Sequence, residues 1–151
     1  MVIRLATSDD VTKITQIVGD AYSPFVERIG RAPAPMSVDY SDVVARGSAR
    51  VLVDDGEVVG VLVIRTDLDH LSIENVAVAP RAQGQGHGRA LLSDAEGLAR
   101  ECGLSELRLY TNEAMTENLR LYARLGYVEV DRRRVDGFSR VFFVRAVEPR
   151  G

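Results

Sequence analysis

The feature that most constrains the fold is a glycine-rich segment between a strand-like stretch and a helix-like stretch. In "ENVAVAPRAQGQGHGRALL", residues 74–92, apolar residues alternate as in a β-strand, glycines follow at every second position, and later apolar residues recur at helical spacing. Such a strand–loop–helix unit belongs to a domain in which helices pack on a sheet. Glycine tolerates positive φ and lets the backbone approach a ligand, so the loop is also a candidate binding site.

The strand before this loop contains a break in its alternation. Leu71 and Ile73 place apolar side chains at odd positions, whereas Val76 and Val78 place them at even positions. Either both faces of the strand are buried or a β-bulge near positions 74 and 75 shifts the phase. We expect the bulge, because bulges end strand pairing and redirect side chains beside active sites. The second half of the strand would then splay from its neighbour and leave backbone amides free for a ligand.

Apolar periodicity and turn residues predict the remaining elements. The segment 22–37, which carries three prolines, is expected to be irregular. The chain is predicted to be one domain over residues 1–151, of the α/β (α+β) class, with a mixed sheet of about six to seven strands and about four flanking helices. Helices are expected at 11–21, 38–46, 88–102 and 115–125, and strands at 2–6, 49–66 (a hairpin), 70–79, 105–111 and 127–147 (a second hairpin).

Composition limits the partners and the compartment. A net charge of −3 does not favour nucleic acid, and the arginines at 132–134 are expected to be a solvated strand edge. No signal peptide and no membrane span is recognisable, so a cytoplasmic protein without a membrane partner is expected. The single cysteine, Cys102, excludes an internal disulfide and falls on the apolar stripe of its predicted helix. His70, His87 and Cys102 lack metal-ligand spacing, so no metal is expected.

Three ligand classes suit a glycine loop before a helix, because the helix N-terminus presents free N–H groups and a positive dipole end. A nucleotide P-loop needs Lys-Ser or Lys-Thr after the last glycine, where Arg89-Ala90 stand instead. The dinucleotide fingerprint needs glycine at position 89 and belongs in an opening β-α-β unit. The third class is the pyrophosphate of coenzyme A, and a flexible turn without a ligand is the alternative to all three.

Two segments resemble motifs of the GNAT superfamily of N-acetyltransferases. "VAVAPRAQGQGHGRALL" is similar to its acetyl-CoA-binding motif, Q/R-x-x-G-x-G/A, with Gln83, Gly86 and Gly88 at the fixed positions. "ENLRLYARLGY" is similar to its later motif, in which an asparagine precedes a tyrosine by four and "LGY" follows. The element order agrees over nearly the whole chain, although the first 70 residues match in that order alone.

The resemblance implies a single-domain GNAT-like fold and an N-acetyltransferase. The reaction would move an acetyl group from acetyl-CoA to a primary amine by direct attack in a ternary complex. A small molecule, an amino acid, or a protein or peptide could supply the amine. The alternative is a non-catalytic domain that binds and senses acyl-CoA. The edge of the final hairpin could also pair with a second copy in a homodimer.

The resemblance also implies which residues bind the cosubstrate. Backbone amides of the loop would hold the pyrophosphate, the strand would pair with the pantetheine arm, and Asn118 would hydrogen-bond to that arm. Tyr122 would lie at the thioester sulfur. The stretch between Thr111 and Asn118 looks longer than in many members, which leaves the start of this helix and any role of Asn112 open. The full set is Val76, Ala77, Val78, Gln83, Gly84, Gln85, Gly86, His87, Gly88, Arg89, Asn118 and Tyr122.

Two residues, Glu74 and Tyr122, are of types that suit catalysis of amine acetylation. Glu74 occupies a position where many family members carry a general base, and a carboxylate there could accept the amine proton. An alkyl amine has a pKa near ~10.4, so roughly one in 10³–10⁴ is neutral at pH 7. Tyr122, with a pKa near ~10, is expected to hydrogen-bond to the leaving thiolate, since full proton transfer to a thiol of pKa ~8.5 is uphill by about 2 kcal/mol.

The acceptor site is expected in the first helical region, as in GNAT-like chains. Tyr22, Phe25, Met36 and Tyr40 could form an apolar wall there, with Asn112 as a further candidate. Glu27 or Asp39 could attract a cation, and the mildly acidic net charge weakly favours a cationic acceptor.

Overall fold

The computed structural model describes residues 1–148, in which seven strands form one sheet and five α-helices flank it. Several one-turn 3₁₀ segments join these elements. The elements are β1 (Val2–Leu5), α1 (Val11–Tyr22), α2 (Val26–Ile29), α3 (Tyr40–Ala45), β2 (Ala49–Asp54), β3 (Glu57–Thr66), β4 (Leu71–Val78), α4 (His87–Glu101), β5 (Glu106–Asn112), α5 (Thr116–Arg124), β6 (Val128–Val135) and β7 (Phe138–Ala146).

The sheet has the strand order β1-β2-β3-β4-β5-β7-β6. Strands β4 and β5 are parallel, and the other neighbouring pairs are antiparallel. A parallel pair needs a long crossover connection, and α4 provides it. The predicted mixed sheet with flanking helices is therefore confirmed.

Helices cover both faces of the sheet. The side chain of Asn75 on β4 bonds Tyr22 at the end of α1, whereas Val78 lies against Gly88 at the start of α4. Positions 75 and 78 point to opposite faces because side chains alternate along a strand. Apolar stripes fix each helix: α1 buries Ile14, Ile17 and Val18, and α4 buries Leu91, Leu92, Ala95 and Ala99.

The predicted bulge in β4 is confirmed at Glu74. Val63 of β3 lies opposite Asn75, and the next residue, Ile64, lies opposite Ile73, so Glu74 is the extra residue. Pairing between β4 and β5 is limited to residues 71–73 with 107–109. Beyond Ile73 the two parallel strands separate, which is the splay that the break in alternation predicted.

Two predictions about local structure are wrong. The segment 22–37 is not irregular throughout, because it contains α2 and short 3₁₀ turns. Pro24 fits into the first turn of one of them, where a backbone N–H would have no partner within the turn. Cys102 is exposed, not part of the buried stripe. It caps the C-terminus of α4, since Gly103 takes φ +71° and the helix ends there.

Other sequence predictions concern surfaces and extent. The arginines at 132–134 lie exposed on the edge strand β6, as expected. None of the helices in residues 1–148 is both long and apolar enough to cross a membrane. A cytoplasmic location, a homodimer and the absence of a nucleic-acid partner stay predictions. Residues 149–151 lie outside the described part, so a single domain over 1–151 also stays a prediction.

Candidate functional site

The glycine loop forms an open concavity ahead of α4. Gly84 and Gly86 have φ of +81° and +85°, a left-handed conformation that strains any other L-residue. Nothing lies within 4 Å of a Cβ built on either one, so the requirement for glycine is conformational and not steric. Gly86 is the N-cap of α4, whose first N–H groups have no intrahelical partner. Backbone donors at a positive helix end suit a phosphate group.

The splayed half of β4 provides free backbone groups next to this loop. Ala79 donates its N–H to Val59 O at 2.8 Å, and hydrogen-bonded pairs alternate along an antiparallel ladder. Val76 and Val78 therefore direct their N–H and C=O away from β3, toward the open side. By the same alternation the backbone of Ala77 faces β3, so a contact with pantetheine is expected from Val76 and Val78 and not from Ala77.

The side chain of Gln83 bridges the strand and the loop. Its Nε2 donates to the Val78 carbonyl at 3.0 Å. This bond occupies an acceptor on the open side of β4 and fixes where the loop begins. A ligand that pairs with Val78 O would displace the Gln83 amide, which is exposed and free to turn.

His87 is the first residue of α4, and its side chain is turned into the protein. It is buried, with Nε2 3.4 Å from an Asp54 Oδ2 in the turn between β2 and β3. Neither ring nitrogen has a hydrogen-bond partner within residues 1–148. The imidazole therefore packs against the neighbouring hairpin. A contact with a ligand in the loop would therefore come from the backbone of His87, as predicted, and not from its ring.

Glu74, the extra residue of the bulge, lines a small pocket. This pocket, of about 50 Å³, lies where the two central strands separate. The Glu74 side chain is 38% exposed, and its Oε1 lies 3.5 Å from Arg65. The lining residues are Tyr22, Pro33, Ala34, Pro35, Glu74, Tyr110, Thr111, Asn112, Met115, Phe138 and Arg140.

A hydrogen-bonded chain supports one wall of this pocket. Tyr22 donates to Asn75 Oδ1 at 2.7 Å, Asn75 Nδ2 donates to the Tyr40 oxygen at 3.1 Å, and Tyr40 donates to the Pro35 carbonyl at 2.6 Å. Burial raises the pKa of Tyr40 to about 12, and burial also raises the pKa of Tyr22. Both phenols are therefore neutral donors. The sequence analysis considered position 75 only as part of the bulge. A polar residue in an otherwise apolar strand was the signal that could have marked Asn75 as a hydrogen-bonding residue.

Replacement of Asn75 by alanine is expected to destabilise the fold. The change leaves the Tyr22 hydroxyl without its acceptor and the Tyr40 oxygen without its donor, which costs about 1–3 kcal/mol. Urea unfolding would measure this loss. Glu101→Ala, an exposed change on α4, is the control and is expected to stay within about 0.5 kcal/mol of the parent. Equal stability of Asn75→Ala and the parent would show that the chain of hydrogen bonds does not hold this wall.

Tyr122 projects from α5 into an aromatic cluster. Its ring centroid lies 5.6 Å from that of Tyr127 and 5.8 Å from that of Phe143. Burial, and then the neighbouring Tyr127, raises the pKa of Tyr122. Within residues 1–148 its hydroxyl makes no hydrogen bond, although the ring is buried. The phenol of Tyr122 also contributes, after burial, to the raised pKa of Tyr22, whose side chain lines the pocket that holds Glu74.

Asn118 and Asn112 lie at the start of α5 and at the end of β5. Asn118 lies in the first turn, with Nδ2 3.5 Å from Thr111 Oγ1, and is not the helix cap. Asn112 lines the pocket, and its Oδ1 accepts the Ala114 N–H at 2.9 Å. This turn accommodates the long connection noted in the sequence. Asn112 therefore shapes this turn and also lines the pocket.

The structure brings together only some of the predicted acceptor residues. Tyr22 and Asn112 line the pocket, whereas Tyr40 supports it from behind through Asn75. Phe25 and Met36 are not among its lining residues: Phe25 packs under Arg28, and Met36 lies in a 3₁₀ turn. Of the two predicted carboxylates, Asp39 caps α3 by accepting the Ser41 N–H, and Glu27 is exposed on α2.

Comparison with known proteins places the chain in a family. Residues 14–127 match the model of the acetyltransferase (GNAT) family. A curated relative, the [ribosomal protein bS18]-alanine N-acetyltransferase of Haemophilus influenzae, is 31% identical over 83 residues, or 55% of this chain and 56% of that protein. The chain thus spans about half the length of the curated relative that it matches.

Solved structures share the fold over nearly the whole chain. The ribosomal-protein-S18-alanine N-acetyltransferase of Escherichia coli superposes with a TM-score of 0.78 at 21% identity, covering 99% of this chain and 96% of that one. The PaiA N-acetyltransferase of Thermoplasma acidophilum, solved with coenzyme A, gives a TM-score of 0.81 at 14% identity, covering 96% and 98%. The chain therefore belongs to the acetyltransferase (GNAT) family, and the predicted GNAT-like α/β fold is confirmed.

Proposed function

We propose that this chain transfers the acetyl group of acetyl-CoA to a primary amine by direct attack in a ternary complex. The bulge at Glu74 carries the proposal, because one irregularity produces two parts of the site. It places Glu74 in the wall of the pocket, and it separates β4 from β5 so that backbone groups face the glycine loop. A domain that only binds and senses acyl-CoA would need the exposed backbone groups of β4 but not the carboxylate.

The loop and the splayed strand fit the donor. The free N–H groups of residues 83–89 would hold its pyrophosphate, and Val76 and Val78 would pair with its amide-containing arm. Asn118, in the first turn of α5, would hydrogen-bond to the same arm. Acetyl-CoA supplies the acetyl group as a thioester, and the remaining steps are performed by residues of the chain.

Glu74 is proposed as the group that accepts the amine proton, directly or through a water molecule. An amine enters the pocket mostly as the ammonium ion, so a carboxylate both attracts it and takes up its proton during attack. The guanidinium of Arg65 lies 3.5 Å from the Glu74 carboxylate.

Tyr122 is proposed to donate a hydrogen bond to the sulfur of the leaving thiolate. Burial raises its pKa, so complete transfer of its proton to a thiolate is even less favourable than for an ordinary tyrosine. A hydrogen bond needs no such transfer. The free hydroxyl of Tyr122, in the absence of a partner within residues 1–148, is available for this bond.

Tyr122→Phe tests this role against a matched control. The change is expected to lower kcat about 10–100-fold, since a hydrogen bond to a charged atom contributes about 1.5–3 kcal/mol. Thiol release would be followed at saturating acetyl-CoA. Tyr127 belongs to the same aromatic cluster, and its buried hydroxyl has no hydrogen-bond partner within residues 1–148. The kcat of Tyr127→Phe is therefore expected to stay within about threefold of the parent. If both variants turn over like the parent, Tyr122 has no part in the chemistry.

A further inference from the structure

Arginines line both the Glu74 pocket and the cavity beside it. A wider cavity of about 330 Å³ adjoins the pocket and shares Asn112 and Phe138 with it. Arg31 and Arg134 line this cavity, and Arg140 lines the pocket itself. Within residues 1–148 none of these three arginines forms an ion pair with a carboxylate.

Other charges around the cavity are already neutralised. Arg28 pairs with Glu117 at 2.7 Å, and Glu113 pairs with Arg132 at 3.1 Å. By contrast, Arg31 donates to a backbone carbonyl at position 136, and Arg134 donates to the Gly137 carbonyl at 3.1 Å. A backbone carbonyl accepts a hydrogen bond from a guanidinium group but does not neutralise its charge. The pocket and the adjoining cavity therefore keep an excess of positive charge.

Of these three arginines, Arg140 is best placed to bind a ligand in the pocket. Its guanidinium carbon lies 4.2 Å from the centroid of the Tyr110 ring and 5.8 Å from that of Phe138. The side chain is half-buried, and within residues 1–148 it makes no side-chain hydrogen bond. Stacking fixes the plane of a guanidinium while its N–H fork stays available for two parallel bonds to a carboxylate.

Glu74 and Arg140 therefore place opposite charges in one pocket. The carboxylate suits an ammonium ion or amine, and the guanidinium suits a carboxylate. The two lie on β4 and β7, on either side of β5, and both line the same small pocket, so one small molecule there can contact both.

We propose that the preferred acceptor carries a carboxylate close to the amine that is acetylated, and that Arg140 is the residue that selects it. This inference rests on the proposed function of Glu74. The carboxylate could be the α-carboxylate of a free amino acid or an acidic side chain on the first residue of a peptide. The sequence analysis expected a cationic acceptor, attracted by Glu27 or Asp39. In this proposal the amine of the acceptor is the cation, and the acceptor also carries a negatively charged carboxylate.

Matched acceptor pairs test the proposal and separate the two sources. Alanine and alaninamide differ at the α-carboxylate, and the amidated tripeptides Asp-Ala-Ala and Asn-Ala-Ala differ at the side chain. In at least one pair the carboxylate member is expected to have a kcat/KM about 10–100-fold higher than its amide. Arg140→Gln is expected to bring that pair within about threefold, whereas Arg46→Gln, an exposed change at the C-terminal cap of α3, keeps the preference.

A binding measurement keeps the proposal falsifiable if a probe is not turned over. The protein saturated with coenzyme A would be titrated calorimetrically with the same four probes. A carboxylate member that binds at least about tenfold tighter than its amide, with the difference lost in Arg140→Gln, supports the proposal. Equal binding within both pairs, or no binding of any probe, overturns it while the proposed function stands. Failure to bind coenzyme A overturns both, and unchanged coenzyme A affinity shows that Arg140→Gln is folded.

Discussion

Glu74→Gln is expected to lower kcat by about 10²–10⁴ while the affinity for acetyl-CoA stays within about twofold. The amide has nearly the same shape as the carboxylate but can neither accept the amine proton nor attract an ammonium ion. The bulge that positions residue 74 is set by the pairing of β3 with β4, which the substitution leaves in place. Steady-state thiol release and calorimetric titration would measure the two quantities.

A second glutamate gives the control for this prediction. Glu106 is the first residue of β5, the strand next to β4, and its carboxylate forms an ion pair with Arg108. Glu106→Gln is expected to keep kcat within about threefold, because surface ion pairs contribute about 0–1 kcal/mol. A Glu74→Gln variant as active as the parent would remove this carboxylate from the mechanism and leave the pocket without a base.

Gly86→Ala is expected to weaken acetyl-CoA binding about tenfold or more. Gly86 adopts φ +85° as the N-cap of α4, and a Cβ there costs about 1–2 kcal/mol. The chain can relieve this strain only by rotating the loop backbone, which turns the N–H groups away from the pyrophosphate. Calorimetric titration would measure the dissociation constant, and urea unfolding would measure the stability.

Gly103→Ala separates the loss of binding from the loss of stability. Gly103 takes φ +71° at the other end of the same helix, so alanine meets the same kind of strain there. Both variants are expected to lose about 1–2 kcal/mol of stability, but only Gly86→Ala loses affinity. Equal dissociation constants for the two variants would contradict a pyrophosphate site in this loop.

The most informative part of the site was predictable from the alternation of one strand. The change of phase between Ile73 and Val76 predicts a bulge because side-chain faces alternate strictly, and the structure places the extra residue at Glu74. The glycine loop was equally predictable, since positive φ at positions 84 and 86 requires glycine. Both signals are local: each depends on neighbours in the sequence, so each can be detected without the fold.

The parts that escaped prediction depend on contacts between distant segments. Asn75 bonds Tyr22, which is 53 positions away, and no local pattern marks either residue as a partner of the other. Arg140 resembles any other strand arginine until β7 is placed beside β5 and its guanidinium stacks on Tyr110. Cys102 fitted the helical stripe, but the helix ended one residue earlier, and the last turn carries its side chain into solvent.

Calorimetric titration of the chain with acetyl-CoA, with NAD as the control, tests the proposed donor site most directly. We expect saturable binding of acetyl-CoA at one site per chain and no binding of NAD, because Arg89 stands where a dinucleotide fingerprint has its third glycine. Absence of acetyl-CoA binding at about millimolar concentration would contradict the proposed donor site. The splayed strand and the glycine loop would then have no donor to hold, and the roles proposed for Glu74 and Tyr122 would fail with them.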